Sequence, residues 1–301
     1  MKIVYIRKTA HPLPQWISGF SAPAVSVSFR TQSHGLLTFP TSIMSMLVQP
    51  GDVLELDDRC ERILLNHFLE RPFQPQELKK FKNFIERVSH PLWLNDKNGE
   101  IRLCIILVCG NLLMPVLADW RTLSIQPGDL VSLSLDGLEV IDFYNHTLGS
   151  IRENKTGYSS GKIRRIAHPM LTRNSFTGHQ ELHTMILLDN HQHFIVPATA
   201  QTMLLAPGHH VELKRQDSGW QLKCPEINFT LNEDGNYQGS IANISLPLTV
   251  MDPDTNAPVL CRYIVTANQE LLQLHADENA MFLQSGDIIR IKRHKLIQFE
   301  L

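Results

Sequence analysis

Apolar positions along this chain fall into short runs, not long helical stripes. The segments 24–30, 101–108, 182–188 and 260–266 are rich in β-branched and aromatic residues and short enough to be strands. Turn residues follow each one, at His34-Gly35, Gly110-Asn111, Asp189-Asn190 and Asn268-Gln269, and predict that each run doubles back as a hairpin. Ahead of each run lies an opening strand that carries Ile6, Ile85-x-x-Val88, Ile163-x-x-Ile166 or Ile241-x-x-Ile244. A proline six residues after the first isoleucine ends it. The isoleucines of these pairs are expected in the core.

The pattern is periodic. The stretch Val48-Gln49-Pro50-Gly51-Asp52-Val53-Leu54-Glu55-Leu56 recurs at 125–133, 205–213 and 283–291, and its glycines Gly51, Gly128, Gly208 and Gly286 are 77, 80 and 78 residues apart. Pro12, Pro91, Pro169 and Pro247 form a second column, spaced by 79, 78 and 78. A third column, Pro40, Pro115, Pro197 and His275, precedes each glycine by 11 to 13 residues. Two independent columns with one period make the chain a four-fold repeat. The expected segments are 1–82, 83–154, 155–238 and 239–301, with the polar run 145–161 as the evident linker between pairs.

Between the third column and the glycine lie about ten residues with Met, Leu and Ala, read as one or two helical turns. Pro-Gly-Asp then opens a fourth strand, and a fifth is expected at 62–68, 138–144, 220–223 with 227–231, and 295–301. One local signal conflicts with this. Leu78, Phe81, Ile85 and Val88 have helical spacing, so a helix is expected over 76–82 only, and the repeat governs from Asn83 onward.

Three strands, a short helix and two strands is the order of the five-stranded OB barrel, so the expected fold is all-β, four tandem OB-like barrels of about 78 residues each. The third segment carries the clearest marks: Gly161-Lys162-Ile163-Arg164-Arg165-Ile166, the strand pair 184–197, and the turn at 205–213. It resembles the RNA-binding OB repeats of the large ribosomal small-subunit protein and of the smallest bacterial translation initiation factor. The resemblance implies an oligonucleotide-binding face. A second resemblance is to cradle-loop barrels with a Gly-Asp turn, whose shorter unit would correspond to 25–65.

Composition fits a globular chain, with 43% apolar and 19% charged residues. The net charge of −2 sets up no large field that would draw polyanions to the whole molecule. Five cysteines, an odd number without a Cys-x-x-Cys pair, point to reduced thiols and a cytoplasmic setting. The apolar stretch of 1–8 is too short for a secretory signal. The most apolar segment, 103–118, is shorter than a membrane span, contains Gly110 and Pro115, and reads as two buried strands.

Chemistry-bearing candidates are few. Gly157–Lys162 has three residues between its glycines and Ile163 where a phosphate loop needs Ser or Thr. His179, His183, His191 and His193 cluster on one hairpin, yet no Cys or carboxylate completes a metal set. The acids Asp52, Asp129 and Asp287 give way to His209 in the third copy, which marks them as turn formers and not as catalysts. No nucleophile elbow or Cys–His pair is present, so no enzyme, metal or cofactor is expected.

An OB barrel meets its ligand on strands two and three and on the loops joining strands one to two and four to five. In the third segment these places hold Arg173, Phe176, Lys214, Arg215 and Trp220, with Lys162 and Arg164 on strand one. The first segment offers Trp16, Phe20 and Arg30. Cations beside aromatic rings suit single-stranded RNA or DNA. A protein partner docked on the same barrels is the rival expectation, and no membrane partner is expected.

Overall fold

The computed structural model describes residues 1–15, 24–69, 80–95, 98–110, 112–136, 139–154, 156–173, 178, 180–217, 219–227, 229–232, 236–252, 255 and 257–291. The protein is all-β apart from short helical turns, and it divides into two compact units, Met1–Ser150 and Ile151–Leu301.

The first unit begins with β1 (Lys2–Thr9), β2 (Leu13–Gln15), β3 (Ala24–Thr31), β4 (Leu36–Pro40), helix α1 (Ile43–Met46), β5 (Val53–Leu56) and β6 (Ile63–Asn66). These strands form one sheet in the order β2-β3-β1-β5-β6, with β4 also on β3. β1 serves two partners: Lys2 to Tyr5 pair with β5, while Ile6, Lys8 and Thr9 pair with β3. The change of partner comes at a bulge, where Ile6 faces Thr31, Lys8 faces Arg30, and Arg7 is the extra residue.

β7 (Lys80–Phe84), β8 (Arg87–Val88), β9 (Leu92–Asn95), β10 (Ile101–Cys109), β11 (Leu112–Leu117), β12 (Leu130–Asp136) and β13 (Glu139–Asn145) complete the unit. Here the opening strand is divided, β7 pairing with β12 and β8 with β10. Residues 80–82 are therefore strand, not the helix that the spacing of Leu78, Phe81 and Ile85 suggests; residues 76–79 lie outside the described part. Ladder pairing to β12 prevails over a weak local helical period.

The second unit opens with β14 (Arg152–Glu153), β15 (Tyr158–Ile166), β16 (Met170–Arg173), β17 (Gln180–Leu188), β18 (Gln192–Pro197), helix α2 (Ala200–Met203), β19 (His210–Gln216) and β20 (Gly219–Lys223). They order as β14-β18-β17-β15-β19-β20, with β16 on β17. β21 (Thr230–Leu231), β22 (Tyr237–Ile244), β23 (Leu248–Met251), β24 (Pro258–Thr266), β25 (Glu270–His275) and β26 (Ile288–Ile291) follow. The run 145–161 is thus not wholly linker, because β14 pairs in parallel with β18. Residues 227–231 do not extend the ladder of β20: Thr230 and Leu231 pair in parallel with β25. The strand expected at 295–301 lies outside the described residues.

At each of the four Gly turns the same bond recurs. The N–H groups of Gly51, Gly128, Gly208 and Gly286 donate to the carbonyls of Ile6, Ile85, Ile163 and Ile241, all at 2.8 Å. The glycines have φ between 89° and 96°, a conformation that costs any residue with a Cβ. A short helical turn precedes each one: α1, Thr122–Ser124, α2 and Ala280–Phe282. Ser42 with Ser45 and Thr199 with Thr202 form capping boxes on the α-helices. Asp119 caps the second turn by accepting from the N–H of Thr122, and Asp277 the fourth by accepting from that of Ala280.

The isoleucine pairs behave unequally. Ile163 and Ile241 are buried, whereas Ile166 and Ile244 are half-buried against the same clusters. A spacing of three would send the two to opposite faces of a regular strand. The bulges at Ile163/Arg165 and Ile241/Asn243 insert one residue and bring both inward.

In each unit the α-helix packs on a strand that follows it. Met46 and Leu47 lie against Leu92, Ile106 and Val108, and Met203 and Leu204 against Leu248, Tyr263 and Val265. Residues 104–109 of β10 and 261–266 of β24 are consequently buried on both faces. This is why those runs read as continuously apolar, and 103–118 is a pair of strands, as its Gly and Pro imply.

Candidate functional site

Arg30 sits on β3 opposite Lys8 and lines an open groove of about 480 Å³ with Arg7, Lys8, Thr31, Gly35 and Leu36. Trp16, Phe20 and Phe176 lie outside the described residues. Arg173 ends β16 in register with Gln180.

The groove is built by backbone geometry. Arg7 is the bulged residue of β1, and a bulge re-aims a side chain away from the pleat. The wall opposite is a tight turn: the Thr31 N–H donates to the Gly35 carbonyl at 2.8 Å, and the His34 N–H donates to Thr31 Oγ1 at 3.0 Å. Gly35 has φ 70°, which suits the turn. Three cationic side chains therefore border one open groove, and the exposed positions among them are Arg7 and Arg30. In β15 the bulged residue is Arg164, whose Nη1 lies 3.4 Å from His191 Nδ1.

Lys162 and Lys214 share one exposed face. Alternation on β15 and β19 puts Tyr158, Ser160 and Lys162 beside Lys214, Glu212 and His210 on the outside, with Tyr158 directly opposite Lys214. Trp220 is turned the other way. It packs edge-on to Phe194 at 4.8 Å between ring centroids, against the core of Ile163, Phe194 and Leu213. Its partner in register is Arg215, one step beyond the inward Leu213. Trp220 thus packs half-buried on this core, on the side away from Lys162 and Lys214. The alternation Leu213-x-Arg215 against Trp220-x-Leu222 carried that signal in the sequence. Sequence reasoning also passed over Arg7, Lys8 and Tyr158, because a bulge is not visible in composition.

Buried charge is used structurally. The Arg87 guanidinium meets Asp52 through Nη1–Oδ2 at 2.6 Å and Nη2–Oδ1 at 2.7 Å, lies 3.4 Å from the centroid of the Phe68 ring, and donates to the Leu47 carbonyl. Burial alone would raise the Asp52 carboxyl, but hydrogen bonds from Arg87, Asn66 and the Gln49 N–H outweigh it and hold the group below its ordinary value. Arg262 is buried and donates to the carbonyls of Ser245, Ala280 and Leu283; burial pushes its guanidinium down to about 10. The acids after the turn glycines accept locally, from Gln49 N–H to Asp52, Gln126 N–H to Asp129 and Gln284 N–H to Asp287. His209 Nδ1 takes the same bond from the Ala206 N–H at 3.1 Å.

Burial raises the Cys109 thiol to about 12 and also raises Cys224 and Cys261, so these thiols stay protonated at neutral pH and pack as small apolar groups. Residues 158–162 are strand and form no phosphate loop. Among the described residues no group of three or more His, Cys, Asp or Glu side chains is placed to hold a metal ion, and His179 lies outside them. No helix among them is long and apolar enough to cross a membrane. Compared with protein-family models and with curated proteins, the sequence matches none.

Proposed function

We propose that this protein is a non-enzymatic binder of single-stranded nucleic acid, RNA or DNA, built as four tandem OB-like barrels and working in the cytoplasm. The observation that carries the reading is the groove of Arg7, Lys8 and Arg30. It lies where strand one, strand two and the turn to strand three meet, beside the ligand side of an OB barrel. Its cations suit phosphates, and Arg164 occupies the same bulge position in β15.

The test is the salt dependence of binding to fluorescent single-stranded oligonucleotides. Each phosphate contact removed should lower the log–log slope by about 0.7. Arg7→Ala and Arg30→Ala should each do so, with a weaker affinity at every salt concentration. Wild-type protein that binds no single strand at low salt would end the reading.

A second reading, a docking scaffold for a protein partner, has its own support. Ile3 and Tyr5 are 52% and 53% exposed on the outer side of the β1–β5 pair, and Leu64 of β6 is 54% exposed. An exposed apolar patch marks association with proteins, and such binding would change little with salt.

A further inference from the structure

The three-stranded sheet β7–β12–β13 in the first unit has an outer face unlike the groove. Its inner side is apolar, with Val131 and Leu133 fully buried. The outer side carries Lys80, Lys82 and Phe84 from β7, Leu130, Ser132 and Ser134 from β12, and Asp142, Tyr144 and His146 on the strand β13 side. The ladder arranges them in rows: Lys82–Ser132–Tyr144 and Lys80–Ser134–Asp142 are directly opposed, and His146 donates its N–H to Leu130, which is opposite Phe84.

Two aromatic rings stand free of the core here. Phe84 is 58% exposed and Tyr144 47%. They flank a central strand, Phe84 beside Leu130 and Tyr144 beside Ser132, and strands about 4.8 Å apart with an offset of two residues along the strand hold the two positions about 12 Å from each other. Tyr144 is braced: the His146 ring meets it edge-on at 4.8 Å, and Ser132 Oγ lies 2.6 Å from His146 Nε2. Lys80 and Lys82 project on the same side as Phe84, because they precede it by four and two residues on a strand.

We propose that this face is a stacking platform for two bases of a single-stranded nucleic acid, with Phe84 and Tyr144 under the bases and Lys80 and Lys82 on the flanking phosphates. The inference rests on the nucleic-acid reading but assigns a second site, away from the groove and from the strand-two and strand-three face that the OB likeness implies. The occupant follows from the combination of groups. A protein surface would be served by the rings alone, whereas a polyanion with flat bases uses both the rings and the two lysines. Asp142, at one corner, directs the strand toward the Phe84 and Tyr144 end.

The experiment uses the full chain and fluorescein-labelled oligo(dT) and oligo(U), which separate DNA from RNA. Phe84→Ala and Tyr144→Ala should each raise Kd roughly 5- to 150-fold. Phe84→Tyr should keep wild-type binding, and Phe84→Leu should lose it as alanine does, because leucine is apolar without a flat face. Bromouracil-substituted strands should photo-cross-link to 80–84 or 142–146. Wild-type binding that Phe84→Ala and Tyr144→Ala leave unchanged, while Arg30→Ala weakens it, overturns the platform and spares the groove. Retention in Phe84→Leu with loss in Phe84→Ala overturns stacking in favour of an apolar protein contact. Absence of any binding by the wild type overturns both sites.

Discussion

Asn243 Nδ2 donates to the carbonyl of Leu204 at 2.7 Å, the bond that Arg87 Nη1 makes to the carbonyl of Leu47 at 3.0 Å in the other unit. The acid that Arg87 grips, Asp52, has His209 at the matching place after its turn glycine. A buried ion pair in one unit therefore stands where an asparagine and a histidine stand in the other. Removing one partner of a buried pair costs about 3–5 kcal/mol, because the other charge is left unpaired. Arg87→Asn and Asp52→His should each cost about this much in urea unfolding. The double variant should recover more than 1 kcal/mol relative to the sum, about the size of coupling seen between touching residues. Additive losses would remove the equivalence.

The same pair sets a pH dependence. Asp52 titrates below its ordinary value of 3.8 when folded, so it contributes stability that is complete above that value. The contribution is lost as the pH falls through the lower, folded value. Acid unfolding monitored by circular dichroism should begin at higher pH in Asp52→Asn than in the wild type.

His168 predicts a second titration. Burial pushes its imidazole below the ordinary 6.5, so the unfolded chain takes up the proton first and stability falls as the pH drops below 6.5 toward the folded value. Leu246 occupies the corresponding place in the last segment. His168→Leu should flatten the melting temperature between pH 7 and 5, roughly the range in which an ordinary histidine changes charge. An unchanged profile would assign the dependence elsewhere.

Gly208→Ala isolates backbone strain. Gly208 has φ 96°, and a Cβ there would meet nothing within 4 Å, so any loss comes from the conformation itself. The expected cost is about 1–2 kcal/mol. A loss near zero would mean that the turn relaxes.

Ile241 and Ile244 separate full from partial burial. Ile241 is 2% exposed, so Ile241→Ala should cost about 2–5 kcal/mol by leaving a cavity. The half-buried Ile244 should cost less in the same substitution.

Much of this was legible in the chain. The β-branched runs, the turn glycines and the short helices before them announce an all-β protein because each is fixed by neighbours in sequence. The packing of Trp220 was legible too, through its alternation with Leu222. Arg87 was hidden for another reason: its partner lies 35 positions away. The pairing of Thr230 and Leu231 with β25 is equally non-local, and no local period encodes it. The strand at Lys80–Phe84 was obscured by an accidental helical spacing with Ile85, which the break between β7 and β8 explains.

The bulges also guard against misfolding. Register in a sheet is a two-state matter, since a slip of one residue exchanges the faces of a strand. In β15 such a slip would carry Ile163 outward and drive Arg164 into the space it leaves. The wrong register would expose an apolar group and bury a cation together, so the extra residue at the bulge also locks its strand against sliding.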